Sequence, residues 1–290
     1  MKVTRLSDVD EFWQLVEPLY SQDPVRHTIA LTVLKRVREG HGFGDADPIM
    51  ITIKDDPDDE LAGALFCTPP YPFGLSALPA AAARPVAEFM AAEGIRPTGA
   101  VGEPATVAAF VTAWHALTGL TSSTGMDQRL YRLDVAAFTP PANVPGELIM
   151  ADESDIDILV RFRQEFAVET NHAGDRDNAE KAVRASLESG GAQGLWRVDG
   201  RVVSLAAANK PQEGMSRITA VYTPPAERGH GYGSAVTAGV SRWAIDQGAS
   251  DVVLFTDLAN PIANSIYQRI GYRPVMDVVE VDFAEANPLN

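Results

Sequence analysis

The sequence predicts an α+β protein in which two units of similar size repeat one order of helices and strands. The length of 290 residues suits two domains. Each half runs through the same patterns, namely helix, helix, strands, helix, strand, helix and strand. A proline-rich stretch between the halves contains Pro140, Pro141 and Pro145. We therefore expect domains at 1–137 and 147–290, joined by a linker at 138–146.

In the first half, caps and apolar spacing predict each element in turn. Ser7 is a candidate cap for a first helix, and Asp23-Pro24 for a second helix with Ile29, Val33 and Val37 on its buried face. Strands are expected at 48–53, 61–67 and 128–134, and further helices at 80–92 and 104–117. The acidic run at 55–59 contains Pro57 and indicates a solvated turn rather than a metal site.

The second half begins with a strand at 147–150, after which Asp152 and Ser154 can cap a helix. A second helix is expected at 177–187. Extended patterns follow at 194–198, 202–209, 216–223, 252–256 and 278–283, with helices after the third and fourth of them.

Charge and cysteine content exclude several classes of function. The net charge is −15, and both halves are acidic, which argues against a binder of nucleic acid or of membrane surfaces. Cys67 is the only cysteine, so the chain can form neither an internal disulfide nor a cysteine-rich zinc site. The apolar stretch 76–92 is broken by Arg84, Pro85 and Glu88. We expect a cytoplasmic protein without a membrane span, either a monomer or a homodimer.

The segment most informative about chemistry is a strand, a glycine loop and a helix in direct succession. The strand stops at Pro224-Pro225, and Gly229, Gly231 and Gly233 alternate before the helix. Backbone N–H groups at such a helix start can hold a diphosphate. The loop lacks the lysine of a P-loop, and its glycine spacing differs from the dinucleotide fingerprint. What remains is the spacing Arg-x-x-Gly-x-Gly, at Arg228, Gly231 and Gly233.

This segment resembles the acetyl-coenzyme-A motif of the GCN5-related N-acetyltransferases (GNAT), especially the branch whose C-terminal module is similar to glycine N-acyltransferase. Residues 254–272 resemble the family's strand, Asn-rich turn and helix ending in Tyr-x-x-x-Gly-Tyr. The resemblance covers 202–275. It implies two tandem GNAT-like domains, each a mixed, mostly antiparallel sheet flanked by helices, with the first domain degenerate. It also implies that acetyl-CoA is the acyl-donor substrate and that no metal takes part.

The resemblance further implies roles for individual residues. The strand end would pair with the pantetheine arm through Val221, Tyr222 and Thr223, and Tyr267 would protonate the leaving thiolate. Contacts with the diphosphate would come from Arg228, Gly229, His230, Gly231, Tyr232, Gly233 and Ser234. Asn260 and Asn264 would contact the cofactor arm. Alternatives remain: Tyr267 could be a core residue, Asn260 a helix cap and Arg228 a surface residue.

The sequence departs from the family pattern in two places. No carboxylate lies in 215–222, where many members carry the general base, so the candidates are Glu165, Glu169, His172 or a water chain. Glu165 and Glu169 are alternatively a solvated helix face, which is the interpretation we prefer at this stage. In the first half, 75–83 lacks glycines, so we expect that half not to bind coenzyme A.

The function expected from these features is N-acetyl transfer from acetyl-CoA to a primary amine of a small molecule or peptide, by direct attack. The alternative is a non-catalytic regulatory module that binds acyl-CoA.

Overall fold

The computed structural model of the chain describes residues 1–42, 46–55, 60–170 and 176–284. It divides into two compact units. The first contains Met1–Arg129 and Met276–Asn290, and the second contains Leu130–Val275. These units divide after Arg129 and after Val275. The domain boundaries expected from the sequence, at 137 and 147, stay a prediction.

The first unit is a sheet flanked by four helices. The helices are α1 (Val9–Tyr20), α2 (Thr28–Arg38), α3 (Ala83–Ala92) and α4 (Pro104–Thr118). The strands are β1 (Lys2–Leu6), β2 (Ile49–Lys54), β3 (Leu61–Cys67), β4 (Phe73–Ala77) and β5 (Gly99–Gly102), joined by parts of β6 (Ser122–Leu133) and β12 (Tyr272–Phe283). Their order is β1-β2-β3-β4-β5-β12-β6. Only β4 and β5 form a parallel pair among the registers of β1 to β5.

Strand β12 belongs in part to the first unit because it pairs with β5. Val279 lies opposite Gly102, and Asp282 lies opposite Gly99. A Cβ atom at position 99 would lie 2.4 Å from the carbonyl oxygen of Val281, so glycine is required for this close approach.

Two helix starts in the first unit differ from the sequence prediction. Asp8, not Ser7, caps α1, because its carboxylate accepts hydrogen bonds from the backbone of Asp10 and Glu11. Helix α2 begins at Thr28 rather than at Asp23-Pro24, because the Asp23 carboxylate accepts from Arg26 N at 3.0 Å and closes a separate turn. The buried face of α2 is consequently formed by Thr28, Ala30, Leu31, Thr32 and Leu34.

The second unit repeats this arrangement with its own elements. Its helices are α5 (Ile156–Glu169), α6 (Ala179–Glu188), α7 (Tyr232–Asp246) and α8 (Pro261–Ile270). Its strands are β7 (Glu147–Met150), β8 (Ala192–Val198), β9 (Arg201–Ala208), β10 (Met215–Tyr222) and β11 (Asp251–Asp257), followed by parts of β6 and β12. The order is β7-β8-β9-β10-β11-β6-β12.

Each unit thus has a mixed sheet in which a parallel pair, β4–β5 in the first and β10–β11 in the second, stands beside several antiparallel pairs. In the second unit, α7 and α8 pack on one apolar cluster around Ile218, Val236 and Leu254. Helices α5 and α6 pack on another cluster around Phe162, Leu205 and Tyr222. The predicted fold class is confirmed.

Two further findings concern the described ranges only. No helix in them is long and apolar enough to cross a membrane. Within the same ranges, no three metal-ligating side chains lie close enough together to hold an ion.

His27 is a buried titratable group in the first unit. Its ring is 6% exposed, lies 5.2 Å from the ring of Tyr20, and places Nδ1 3.0 Å from Ser76 Oγ. Burial, together with the neighbouring charge of Arg26, lowers the pKa of His27 to about 4. The folded protein therefore binds fewer protons at this site than the unfolded chain between about pH 4 and the unperturbed pKa near 6.5.

We expect His27 to make stability fall as the pH drops below 6.5. Between pH 7 and 5 its contribution to the free energy of unfolding should decrease by about 2 kcal/mol, since one pKa unit corresponds to about 1.4 kcal/mol. Urea denaturation of the wild type and of His27→Gln at both pH values measures this. Equal pH dependence in the two proteins would contradict the assignment.

Candidate active site

The candidate active site begins where β10 separates from β11 in the second unit. The two strands pair in parallel from Met215 opposite Asp251 to Ile218 opposite Leu254. Both strands continue for three or four residues beyond that point, and no register joins them there within the described chain. The end of β10 consequently presents an unpaired edge, to which an extended ligand can add.

A β-bulge directs the end of β10 away from its neighbour. On the β9 side, Thr219 lies opposite Ala207 and Tyr222 opposite Leu205, so β10 contains one extra residue. Ala220 within the bulge has φ +49°, a left-handed backbone conformation that residues other than glycine rarely adopt. The bulge re-aims the backbone groups of 220–222 at the point where pairing with β11 has ended.

Ser204, in the neighbouring strand β9, holds the end of the bulged strand. Its hydroxyl is fully buried, donates to the carbonyl of Tyr222 at 2.9 Å, and lies 2.8 Å from Thr223 Oγ1. The sequence analysis missed this residue. The available signal was a lone serine inside the apolar run of β9, since a buried hydroxyl requires a partner.

The glycine loop connects this strand end to α7. A short 3₁₀ turn at Pro225–Glu227 precedes Gly229 and Gly231, both of which have φ +83°. Helix α7 begins directly afterwards, and no side chain caps its first turn. Among the described residues, the backbone N–H groups from Gly229 to Ser234 have no acceptor. Free amides at the positive end of a helix dipole form a ready anion site.

Space around the glycines differs along the loop. A Cβ at position 229 would meet no atom within 4 Å, whereas one at position 231 would lie 3.2 Å from a methyl group of Val144. A Cβ at position 233 would lie 3.1 Å from Thr223 Oγ1. Gly231 is therefore constrained both by its left-handed backbone and by its neighbour.

Arg228 is a partnered residue rather than a free surface cation. Its Nε donates to the carbonyl of Thr223 at 2.9 Å, and its terminal nitrogen forms an ion pair with Glu169 of α5. The guanidinium thus joins α5 to the start of the glycine loop.

His230 and Tyr232 contribute differently from the glycines between and beside them. Their rings stack with centroids 5.3 Å apart, and His230 is exposed whereas Tyr232 is 8% exposed. Position 232 therefore offers a ligand its backbone N–H more readily than its side chain.

Both predicted asparagines have structural hydrogen bonds around the start of α8. Asn260 caps the helix, and its side chain accepts from Ala263 N at 3.0 Å. Asn264 donates to the carbonyls of Asp257 and Asn260 at 2.8 and 2.7 Å, and accepts from the hydroxyl of Tyr131 at 3.0 Å. Their predicted contact with a cofactor arm remains a prediction beside these roles.

Tyr267 has a buried ring, and its hydroxyl forms no hydrogen bond with the described residues. The residue is 8% exposed and packs edge-on against Tyr272 at 6.1 Å. No described residue hydrogen-bonds to its hydroxyl, and that oxygen is not among the fully buried unpaired atoms. Burial raises the pKa of Tyr267 to about 12, so the phenol keeps its proton at neutral pH.

The candidate bases lie near the same strand end. The Glu165 carboxylate lies beside the Tyr222 hydroxyl, and Glu169 pairs with Arg228. The preferred sequence interpretation, a merely solvated helix face, is wrong for Glu169, because this residue pairs with Arg228 of the glycine loop. His172 lies outside the described residues.

The corresponding place in the first unit is built differently. The register of β4 and β5 ends at Gly74 opposite Val101, and at Gly102, where β5 ends, a Cβ would lie 3.2 Å from that of Leu75. Pro79, in extended conformation, precedes the next helical turn, and Leu78 is 5% exposed. That this unit does not bind coenzyme A stays a prediction.

Comparisons with known proteins agree with this geometry. The family model described as "Acetyltransferase (GNAT) family" matches residues 157–272. No curated protein matches the chain.

Solved structures match over nearly the whole chain. One is a GNAT-family acetyltransferase from Colwellia psychrerythraea, with TM-score 0.62 and 11% identity, covering 98% of this chain and 100% of its own. A tandem GNAT protein from the clavulanic acid biosynthesis pathway has TM-score 0.62 and 14% identity, with 100% of both chains covered. A GCN5-related N-acetyltransferase from Kribbella flavida has TM-score 0.57 and 18% identity, covering 90% of this chain and 96% of its own. At these identities the likeness concerns the fold.

The matched segment contains the diverging strands, the glycine loop and Tyr267. Members of the matched family transfer an acyl group from acyl-CoA to an amine. Residues 157–272 therefore match the GNAT acetyltransferase family, and the chain is an acyltransferase enzyme.

Proposed function

We propose that the protein is an N-acetyltransferase that moves an acetyl group from acetyl-CoA to a primary amine of a small molecule or peptide by direct attack. The observation that supports this most strongly is the unpaired end of β10, which leads directly into a loop and helix start with free backbone amides. An acyl-CoA is an extended amide-containing arm that ends in a diphosphate, and this succession suits both parts.

In this proposal the donor lies along the strand end and the loop. Backbone groups of Val221, Tyr222 and Thr223 pair with the amide groups of the pantetheine arm. Free amides from Gly229 to Ser234 bind the diphosphate at the start of α7. Arg228 adds a positive charge at the same place and shapes the loop through its bond to Thr223.

The reaction is direct attack of the neutral amine on the thioester carbonyl. A backbone N–H near the bulge stabilises the developing oxyanion, and Tyr267 donates its proton to the departing thiolate. A covalent acyl-enzyme is unnecessary. Cys67 lies buried in the first unit, where burial raises the pKa of its thiol to about 12, so it is a poor nucleophile.

The acceptor is expected to be a primary amine, and the resemblance to the glycine N-acyltransferase branch makes glycine one of the first amines to test. Acyl chains longer than acetyl should be tested against the same amines. Acetyl-CoA binding with no amine-dependent thiol release across such a panel would instead support the non-catalytic regulatory module.

Replacing Gly231 by leucine should abolish acetyl-CoA binding. Its φ of +83° is costly for leucine, and the Cβ would press against Val144 at 3.2 Å, so the loop must move from its anion-binding shape. Isothermal titration calorimetry with acetyl-CoA measures the loss, and chemical denaturation should show a stability cost of about 1–2 kcal/mol.

Gly248→Leu is the matched control for this substitution. Gly248 follows the other end of α7, has φ +92°, and has no atom within 4 Å of a built Cβ. This variant should lose a similar amount of stability and still bind acetyl-CoA. Undiminished affinity in Gly231→Leu, or equal loss in both variants, would contradict the loop assignment.

Replacing Tyr267 by phenylalanine should slow turnover by about 10²–10³-fold, because the phenol is the proposed general acid. The affinity for acetyl-CoA should stay unchanged, and stability should hardly change, since the hydroxyl bonds to no described residue. Amine-dependent release of free thiol from acetyl-CoA measures the rate.

Tyr272→Phe is a useful comparison, because its hydroxyl lies 2.8 Å from Ser241 Oγ in the buried core. That change should lower stability by about 1 kcal/mol and leave the rate within a few-fold. A Tyr267→Phe variant with full activity would show that Tyr267 is a core residue only.

A further inference from the structure

Four titratable side chains of the second unit meet at the end of β10. Glu165 and Glu169 come from the last turns of α5, Tyr222 from the strand and Arg228 from the glycine loop. Tyr222 is 6% exposed, and its ring packs edge-on against Phe162 at 5.7 Å and Phe166 at 6.5 Å. The tyrosine ring thus packs against α5, and its hydroxyl lies beside the Glu165 carboxylate.

Glu169 already has a cationic partner in the protein. It forms an ion pair with Arg228, whose Nε donates at the same time to the carbonyl of Thr223. Its geometry suits the positioning of Arg228.

Glu165 differs from Glu169 in its partners. Its ion pair is with Arg161 at 3.9 Å, an i,i+4 contact in which the two side chains are 40% and 61% exposed, so the pair contributes little. Helix α6 packs on α5 and carries Glu180, Lys181 and Arg184, of which Glu180 and Arg184 pair with each other. The Glu165 carboxylate is therefore partly open to solvent and available to a further cation.

The protonation state of Tyr222 affects its interaction with Glu165. Burial, and then the charge of Glu165, raise the pKa of Tyr222 to about 12. The phenol therefore stays protonated at neutral pH and can donate to Glu165 but cannot compete with it as a base. The Glu165 carboxylate lies beside this hydroxyl, at the strand end where the thioester would lie.

Resting on the proposed function, we infer that Glu165 is the general base for the acceptor and that Tyr222 is its positioning residue. The acceptor arrives as a primary ammonium ion and pairs with the Glu165 carboxylate. One proton passes from nitrogen to that carboxylate, and the freed lone pair forms the bond to the thioester carbon. The carbon–sulfur bond then breaks, and the thiolate takes the proton of Tyr267.

The remaining protons balance as the product leaves. The acetylated nitrogen still carries one proton more than the amide product, and this proton returns Tyr267 to its phenol form. Glu165 releases its own proton to solvent. The net change is ammonium plus thioester to amide plus thiol plus one proton.

The test compares Glu165→Gln with Glu169→Gln, using Glu180→Gln as the matched control for loss of an exposed helical carboxylate. Thiol release from acetyl-CoA is followed against pH with a panel of amines: glycine, ethylamine, putrescine, glucosamine and a short peptide with a free N-terminus. Calorimetry with acetyl-CoA is run in parallel, and thermal melting verifies that each variant is folded.

Glu165→Gln should lower kcat/KM by about 10²–10³-fold and leave acetyl-CoA affinity unchanged. Glu169→Gln should weaken acetyl-CoA binding several-fold. Glu180→Gln should match the wild type. Tyr222→Phe should lower kcat and leave acetyl-CoA affinity unchanged, and it should have no further effect when added to Glu165→Gln, because a positioning residue acts through Glu165.

The failures of the two proposals are distinguishable. A wild type that binds acetyl-CoA and releases no thiol with any amine overturns the proposed function and this assignment with it. An active wild type with an equally active Glu165→Gln overturns the assignment of Glu165 alone.

Discussion

The structure of the second unit depends on the separation of β10 from β11 after Ile218. A strand that loses one neighbour leaves backbone donors and acceptors unpaired, which is costly unless something else satisfies them. Here one extra residue bends the strand at Ala220, and the buried hydroxyl of Ser204 holds the carbonyl of Tyr222. The glycine loop starts where this support ends. An open edge and free amides therefore lie in immediate succession, and the site follows from a local departure from regular pairing.

Much of this unit could be predicted from sequence because its signals are local. The strand at 147–150 and the cap at Asp152 agree with the structure, and so does the start of α7 after the glycines. In the first unit the same rules predicted 61–67 and failed to find β4 and β5. Gly99 and Gly102 have the composition of a loop, yet they are glycine because Val281 and Leu75 approach closely. Because Val281 is distant from Gly99 in the sequence, the residues around position 99 give no sign of this contact.

Partnerships within the candidate site were beyond sequence reasoning for the same reason. The spacing of Glu165 and Glu169 fits a solvated helix face, and only the fold reveals that Arg228, 59 residues later, takes one of them. The Tyr131 hydroxyl reaches Asn264 across 133 residues. The backbone shape of the loop could be predicted because glycine and proline have specific backbone preferences that are visible in the sequence. The partners of a side chain depend on which distant element packs beside it, and the sequence around that side chain does not show this.

The two units show why the fold by itself does not make the site. They share one strand order, and in each the central strand, β4 or β10, continues beyond its last registered pair with its parallel neighbour. At the following helix start, the first unit has Pro79 and a buried Leu78 where the second has glycines at φ +83°. The difference between the units therefore lies in the helix start and not in the pairing of the strands. In the proposed reaction the diphosphate needs the glycine loop, so the proposed base beside the strand end belongs with the unit that has this loop.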